Sequence, residues 1–298
     1  MSVRGKTVAV LGGDRRMAEA VHFFLQAGAT IRLSGLPWDD HFAGVQVCGS
    51  GAEALTGAHV AVLPVQGIKE DGTVYTQQGI TPCVVDADGL RRMAAGATVF
   101  TGLGCSYLRQ ICEQEHIPLE EYREVDEFAI WNSIPSAEGA IQMAMESTPF
   151  TIYGSRSLVL GFGRTGRAIA LLLRGLFSEV TVAARGDLNH ARIWASGYRY
   201  ADWNQLADAV AEADVIYNTV PLMVLTREVL SRAPSHAVVI DVATAPGGTD
   251  FEAAKELVLT AKLAPGLPGI VAPVTAGKII AELIVRHLTK RAREEGGR

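Results

Sequence analysis

A chain of 298 residues, with nearly half of them apolar, a fifth charged and 31 glycines, is long enough for two domains with separate cores and excludes disorder on a large scale. A formal net charge of −5 argues against a nucleic-acid binder, and the one dense basic stretch, Lys290, Arg291 and Arg293, reads as a solvated helix end whose cations complement the helix dipole. The four cysteines form no Cys-x-x-Cys pair and have no histidine at ligand spacing, so no metal site is expected and the thiols are read as reduced, mostly buried and cytosolic.

The opening apolar run, residues 3–11, is short and leads into Gly12-Gly13-Asp14-Arg15-Arg16, which makes it a first strand and turn rather than a secretion signal. No uninterrupted apolar segment reaches the length of a membrane span. Strands are predicted over residues 7–11, 30–33, 59–63, 83–85 and 98–101, with helices over 16–27 and 105–115 between them. Residues 134–148 read as a connecting helix that Pro135 opens in its first turn, with Ile141, Ala144 and Met145 on one stripe. A second set of strands follows at 157–161, 180–184, 215–219, 238–242 and 258–263, and a last helical pattern covers 274–293. Alternation of this kind predicts parallel sheets built from βαβ units. The expected fold is therefore α/β, with two Rossmann-like doubly wound domains flanking a cleft: residues 1–133, a linking helix at 134–150, a nucleotide domain at 151–272, and a C-terminal helix at 273–298 packing back on the first domain. Both halves begin strand, glycine turn, helix, as distant copies of one architecture would.

The string Leu158-Val159-Leu160-Gly161-Phe162-Gly163-Arg164-Thr165-Gly166 is a strand running into G-x-G-x-x-G and then a helix-patterned stretch. The first glycine makes the tight turn, the second lets the backbone approach a pyrophosphate, and the third lets helix and strand pack closely. Phosphates would rest on the helix N-terminus, where free N–H groups and the dipole favour anions. The next strand ends in Val182-Ala183-Ala184-Arg185, with an arginine where a carboxylate normally reads the ribose of NAD. NADP is therefore the expected cofactor, with NAD the alternative and Arg192 a second phosphate contact; Arg185 as a plain surface arginine is the other reading. Asn218, Thr219, Val220 and Pro221 close the third strand of this half, and Asp241 and Ala243 close the fourth, so both segments are placed around the dinucleotide, by backbone before side chain.

With these segments in place, the chain resembles the dipicolinate synthase A-subunit family of spore-forming bacteria. The resemblance runs nearly end to end. It rests on Gly12-Gly13-Asp14-Arg15-Arg16, on Asn132-Ser133-Ile134-Pro135-Ser136-Ala137-Glu138-Gly139, on the glycine motif, on Pro246-Gly247-Gly248-Thr249-Asp250-Phe251, and on residues 264–273 from Ala264 to Pro273. It implies oxidation of dihydrodipicolinate to pyridine-2,6-dicarboxylate during sporulation, in the mother-cell cytoplasm. The implied partner is a flavoprotein-like B subunit; a homo-oligomer is the expected assembly. Two positions depart from the family pattern: Thr244-Ala245 stands where other members have Ser-Arg, and Val274 where they can have lysine. Neither cation is available here for substrate carboxylates.

A dicarboxylate needs local cations or N–H clusters, because its desolvation would otherwise cost several kcal/mol per charge. The first turn supplies candidates in Gly13, Arg15 and Arg16, with Arg16 matching the family arginine; a vestigial nucleotide loop is the alternative. Thr101 and Gly102 at a strand end, Asn132 and Ser133 before the linking helix, and Thr275 complete the expected substrate contacts, Ser133 being equally readable as a helix N-cap. Asp14, Arg16, Ser133 and Glu138 are the catalytic candidates, Asp14 and Glu138 for proton transfer, although Asp14 can equally cap the first helix and Glu138 complement a helix dipole. Pro265-Gly266-Leu267-Pro268-Gly269 is expected to be a rigid loop, with Gly266 and Pro268 near the nicotinamide. The rival readings are a dehydrogenase of another small amino or hydroxy acid and a non-catalytic, NADP-binding regulatory subunit.

Overall fold

The computed structural model describes residues 3–38 and 44–296. In chain order the first half runs β1 (Thr7–Leu11), α1 (Arg15–Gln26), β2 (Thr30–Ser34), β3 (Val45–Val47), α2 (Gly51–Leu55), β4 (Val60–Val62), α3 (Ala87–Arg91), β5 (Thr98–Thr101), α4 (Ser106–Gln114) and β6 (Leu119–Glu121). The long α5 (Asp126–Ser147) follows. The second half runs β7 (Arg156–Leu160), α6 (Arg164–Gly175), β8 (Glu179–Ala184), α7 (Asp187–Ala195), β9 (Arg199–Asp202), α8 (Leu206–Ala211), β10 (Val215–Asn218), α9 (Arg227–Leu230), β11 (Val238–Asp241), α10 (Phe251–Glu256), β12 (Thr260–Leu263), α11 (Leu267–Val271) and α12 (Pro273–Gly296).

The strands form two six-stranded sheets, ordered β3-β2-β1-β4-β5-β6 and β12-β11-β10-β7-β8-β9, every neighbouring pair parallel. Counted from its own first strand, each sheet has the same order, 3-2-1-4-5-6, and each reverses direction of winding beside that first strand. The chain divides into two compact units, Met1–Trp131 with Ala272–Arg298, and Asn132–Val271. The central strands are apolar except at their ends, Thr7, Asn218 and Asp241, as strands covered on both faces should be. The edge strands Val45–Val47, Leu119–Glu121 and Arg199–Asp202 lack that apolar run, which is why the sequence pattern misses them.

Helix α12 belongs to the first unit, where Ala276, Ile280, Ala281, Ile284 and Leu288 are buried, each of the larger side chains contributing about 1.5–3 kcal/mol. Its partner is α1. The crossing is close because Gly277 has no side chain: a β-carbon there would lie 2.5 Å from the Arg16 carbonyl oxygen and 2.8 Å from the Ala20 nitrogen. In the second unit, Asp214 ties the starts of three strands together. It accepts from the Arg156 backbone and guanidinium at 2.8 Å each and bonds His236 at 2.9 Å. Burial opposes its charge, but the bonds from Arg156 and His236 outweigh it and hold the carboxyl well below the usual carboxylate range.

Three expectations are corrected. Residues 83–85 are not a sheet strand; only isolated bridges, Ile68 to Val74 and Thr73 to Val84, order this stretch, which lies across the first turn. Helix α5 starts at Asp126, so Pro135 lies in its interior and Ser133 is not an N-cap. The lost N–H leaves the carbonyl four residues back, on the exposed Trp131, without a helical donor, and Ser136 Oγ donates to the neighbouring Asn132 carbonyl at 2.9 Å. The expected rigid loop is instead the helical turn α11, which Pro268 near its start permits.

Tyr217, in the middle of the second sheet, is fully buried, and its hydroxyl has no hydrogen-bond partner among the described residues. Burial pushes its pKa up, so the hydroxyl stays neutral. An unsatisfied buried donor costs about 1–3 kcal/mol. Tyr217→Phe is therefore expected to raise stability by about 1 kcal/mol, seen as a higher midpoint in thermal or urea unfolding; a lower midpoint would show that the hydroxyl is satisfied.

Candidate functional site

The best-formed ligand-binding geometry lies where β7 meets α6. Gly161 has φ +91°, a backbone conformation that side chains disfavour, and a β-carbon on it would lie 2.6 Å from Thr219 Oγ1. A β-carbon on Gly166 would overlap the Gly161 carbonyl oxygen, so α6 can pack against the end of β7 only with glycine there. Gly163 differs from both. It is the N-cap of α6, makes no side-chain cap, and a β-carbon on it would meet nothing within 4 Å. The space beside the start of this 12-residue helix is thus open at Gly163, where a pyrophosphate would approach the helix N-terminus. Arg164 and Thr165 follow on the first turn, and Phe162 turns inward, 6% exposed.

Neighbouring strand ends shape this surface from below. Thr219 donates through Oγ1 to the Leu160 carbonyl at 2.7 Å, and Asn218 folds over its own turn, bonding the Val220 carbonyl at 3.1 Å and the Val220 N–H at 3.0 Å. Asp241 is fully buried and accepts from Ala243 N–H, Gly248 N–H and Thr249 Oγ1 at 3.0, 2.8 and 2.6 Å. These side chains are therefore committed to the loops, so of the two readings offered for this segment the backbone one is left: Asp241 and Asn218 shape the surroundings of a ligand through the loops they hold. A β-carbon on Gly248 would overlap the Val220 and Leu222 carbonyls, which locks the β10 and β11 loops together. Arg185, at the end of β8, holds its guanidinium 5.7 Å from the ring centre of Trp203. Arg192 lines a groove with Arg167 and Arg174 that Arg185 does not line, so its reading as a second phosphate contact is not carried further. Gly266, at φ +69°, has open space around it, whereas Pro268 is buried in α11 and Ala243 in its loop.

The corresponding turn of the first unit is closed. Gly12 N–H donates to the Ser34 carbonyl at 2.9 Å and Gly13 N–H to the Tyr75 carbonyl at 2.6 Å, while Asp14 caps α1 by accepting from Arg16 N–H at 3.0 Å. A β-carbon on Gly13 would overlap Met17, so no phosphate can approach as it can at Gly163. The expectation that backbone N–H groups of this turn receive an anion is corrected accordingly. Its arginine is a different matter. Arg16 is 3% exposed and paired to Asp14 through Nε and Nη2, at 2.9 and 2.6 Å, which leaves Nη1 without a hydrogen-bond partner among the described residues. Tyr122 lies nearby with its hydroxyl on the Leu63 carbonyl at 3.0 Å; burial pushes its pKa up, so it adds no negative charge to the pair.

The other expected substrate contacts differ in how open their polar groups are within their own units. Thr101 is fully buried and bonds the Leu103 carbonyl at 3.2 Å, and Gly102 packs against Val65 with its N–H on the Pro64 carbonyl. Ser133 is buried inside α5, Asn132 half-buried beside it, and Glu138 exposed on the same helix. Arg15 is exposed at the start of α1, and Thr275 at the start of α12. The role of residues 74–77 in covering Gly13, and of Trp203 beneath Arg185, had no signal in the sequence, because each acts across a long loop or from a neighbouring strand.

A doubly wound sheet whose glycine turn delivers an open helix N-terminus at the reversal of strand order defines a dinucleotide-binding domain. Residues 126–247 match the family model for the NAD binding domain of D-isomer specific 2-hydroxyacid dehydrogenases, and residues 7–123 match the model for the N-terminal domain of the dipicolinate synthase A subunit. The chain is 38% identical to the dipicolinate synthase A subunit of Bacillus subtilis strain 168 over 293 residues, which cover 98% of this chain and 99% of that one. Among solved structures it superposes on the dipicolinate synthase A subunit of Bacillus halodurans with a TM-score of 0.89 at 37% identity, covering 97% and 99% of the two chains. The corresponding crystal structure from Bacillus subtilis gives 0.86 at 38%, with 97% and 98% covered. The chain belongs to the dipicolinate synthase A-subunit family, and its second unit is an NAD-binding domain of the dehydrogenase type, which makes a nicotinamide dinucleotide its cofactor class.

Gly163→Val should fold normally, because a β-carbon there has no protein atom within 4 Å, yet the side chain should occupy the space a pyrophosphate needs. Unchanged circular dichroism with dinucleotide affinity at least tenfold weaker is the expected result in calorimetric titration; retained affinity would move the cofactor away from this turn.

Proposed function

We propose that the chain oxidises dihydrodipicolinate to pyridine-2,6-dicarboxylate with NADP, acting with a flavoprotein-like B subunit in the cytoplasm of a sporulating cell. The observation that carries the reading is the open N-terminus of α6 at Gly163 in a chain whose relatives are dipicolinate synthase A subunits. The bound nicotinamide supplies acceptance of a hydride from a ring carbon. A proton leaves the adjacent position in the same overall change, and aromatisation of the ring drives it, so the demand on the base is modest. Asp14 is committed to the α1 cap and to Arg16, which leaves the exposed Glu138 as the acidic candidate for receiving that proton.

Arg185 supports NADP over NAD. Its guanidinium has no carboxylate partner among the described residues and is held over Trp203, with its edge left for a phosphate. Arg185→Asp should weaken NADP binding by about 1.5–3 kcal/mol, roughly ten- to a hundredfold, while changing NAD affinity little. Titration of the unmutated protein with both dinucleotides is the control: equal affinities would end the NADP assignment.

Arg16 is proposed to hold one substrate carboxylate through its remaining Nη1 donors, the Asp14 partner keeping the fork in place. Arg16→Ala should lower kcat/KM for the dicarboxylate by about one to two powers of ten with NADP affinity nearly unchanged. Because Arg16 is buried, Arg16→Lys and unfolding midpoints are measured alongside, to separate lost binding from lost folding. The assay contains the purified chain with its flavoprotein-like partner. Turnover unchanged in a folded Arg16→Ala protein would place the carboxylate elsewhere, and cofactor binding without any substrate-dependent reduction would favour a non-catalytic role.

A further inference from the structure

On the outer face of the second unit, α6 and α7 enclose an open groove of about 620 Å³ that plays no part in the reading above. Three arginines line it: Arg167 and Arg174 from α6, seven residues apart and so on one face, and Arg192 from α7. Its lining contains no aspartate or glutamate, and among the described residues none of the three arginines is ion-paired to a carboxylate. Elsewhere on this acidic protein Arg91, Arg109, Arg156, Arg199, Arg227 and Arg286 each have a carboxylate partner, whereas here three guanidiniums share one space with none. Like charges gathered around one space repel, and an anion between them removes that repulsion.

Two of the guanidiniums are already fixed in place. Arg167 lies 5.1 Å over the Phe162 ring and donates through Nε to the Phe162 carbonyl at 3.1 Å; Arg174 lies 5.1 Å over the Tyr198 ring and donates through Nη1 to the Ser196 carbonyl at 2.8 Å. The two rings meet edge to face at 6.0 Å, so one aromatic floor supports both cations. The carbonyls at the ends of α6 and α7 offset part of the charge on Arg174 and Arg192, but the guanidinium N–H groups exceed the acceptors that the protein offers them.

We propose that this groove is a second anion site, separate from the dinucleotide's, that binds a small multivalent oxyanion, either a polyphosphate or a polycarboxylate. Planar forks held on a rigid floor suit the bidentate geometry common to both. Occupancy is felt at the cofactor, because Arg167 holds the carbonyl of Phe162, the residue between the first two glycines of the phosphate turn. By linkage, whatever the anion does to dinucleotide affinity, the dinucleotide does to the anion's.

The test is calorimetric titration of the full chain at low salt with inorganic pyrophosphate, citrate and pyridine-2,6-dicarboxylate. The phosphate turn also binds pyrophosphate, so the decisive protein is Gly163→Val, in which that turn is filled. It should still bind pyrophosphate or citrate at one site per chain, and the preference among the three probes names the ligand class. Adding Arg174→Glu and Arg192→Glu, both exposed and so compatible with folding, should weaken that binding at least a hundredfold, about tenfold per guanidinium. In the Arg174→Glu, Arg192→Glu protein with Gly163 intact, NADP affinity in anion-free buffer should stay within threefold of the original. Absence of binding by Gly163→Val to all three probes, or undiminished binding after both charge reversals, overturns the proposal. Neither result bears on the dinucleotide reading, which is measured by NADP titration of the same proteins.

Discussion

The second unit depends on one contact without a side chain, that of Gly166 against the carbonyl of Gly161. Because no β-carbon intervenes, α6 begins directly at the end of β7, and its first N–H groups emerge where the strand order reverses. The positive φ of Gly161 turns the chain sharply enough for this, and Thr219 fixes the turn from the neighbouring strand through the Leu160 carbonyl. The buried Asp241 does the same for the next loop, spending its acceptors on that loop's own N–H and hydroxyl donors. Such groups confer no ligand contact themselves. They hold the open helix end at rest, so that little ordering cost remains when an anion arrives.

The two units share one topology and use it differently. In both, a strand and glycine turn feed a helix at the switch point, but in the first unit the glycine N–H groups are taken by the Ser34 and Tyr75 carbonyls, and Asp14 caps the helix at Arg16 N–H. The difference follows from a local insertion, the bridged stretch around residues 68–84, whose backbone lies over Gly12 and Gly13. What remains at that turn is a buried arginine with a single counter-ion, an arrangement that costs several kcal/mol to desolvate and is the more notable for it. A nucleotide fold has thus been closed to phosphate while retaining a cation.

Charge is distributed with similar economy. In a protein of net charge −5, Arg185 over Trp203 and Arg167 and Arg174 in the groove between α6 and α7 have no carboxylate partner among the described residues and rest instead on aromatic faces. Stacking restrains an arginine without consuming its donors, which a carboxylate partner would do.

The sequence by itself determined the class of fold and the position of the phosphate turn, because apolar β-branched runs, their alternation with helices and the spacing of Gly161, Gly163 and Gly166 are local properties that tertiary context seldom overrides. It also carried the family, through strings such as residues 246–251 and 264–273. It did not determine which candidate side chains are available. Asp241, Asn218 and Thr101 read as polar groups at strand ends, and only packing showed that each is committed to its own loop. Pro135 read as a helix start, whereas the preceding turns are helical and the proline is carried in the interior, with the carbonyl it leaves unpaired on an exposed residue. The closure of the first turn, the floor beneath Arg185 and the arginine groove were decided by tertiary structure alone. Each joins residues from separate elements, and hydrophobic periodicity and residue spacing report only on neighbours along the chain.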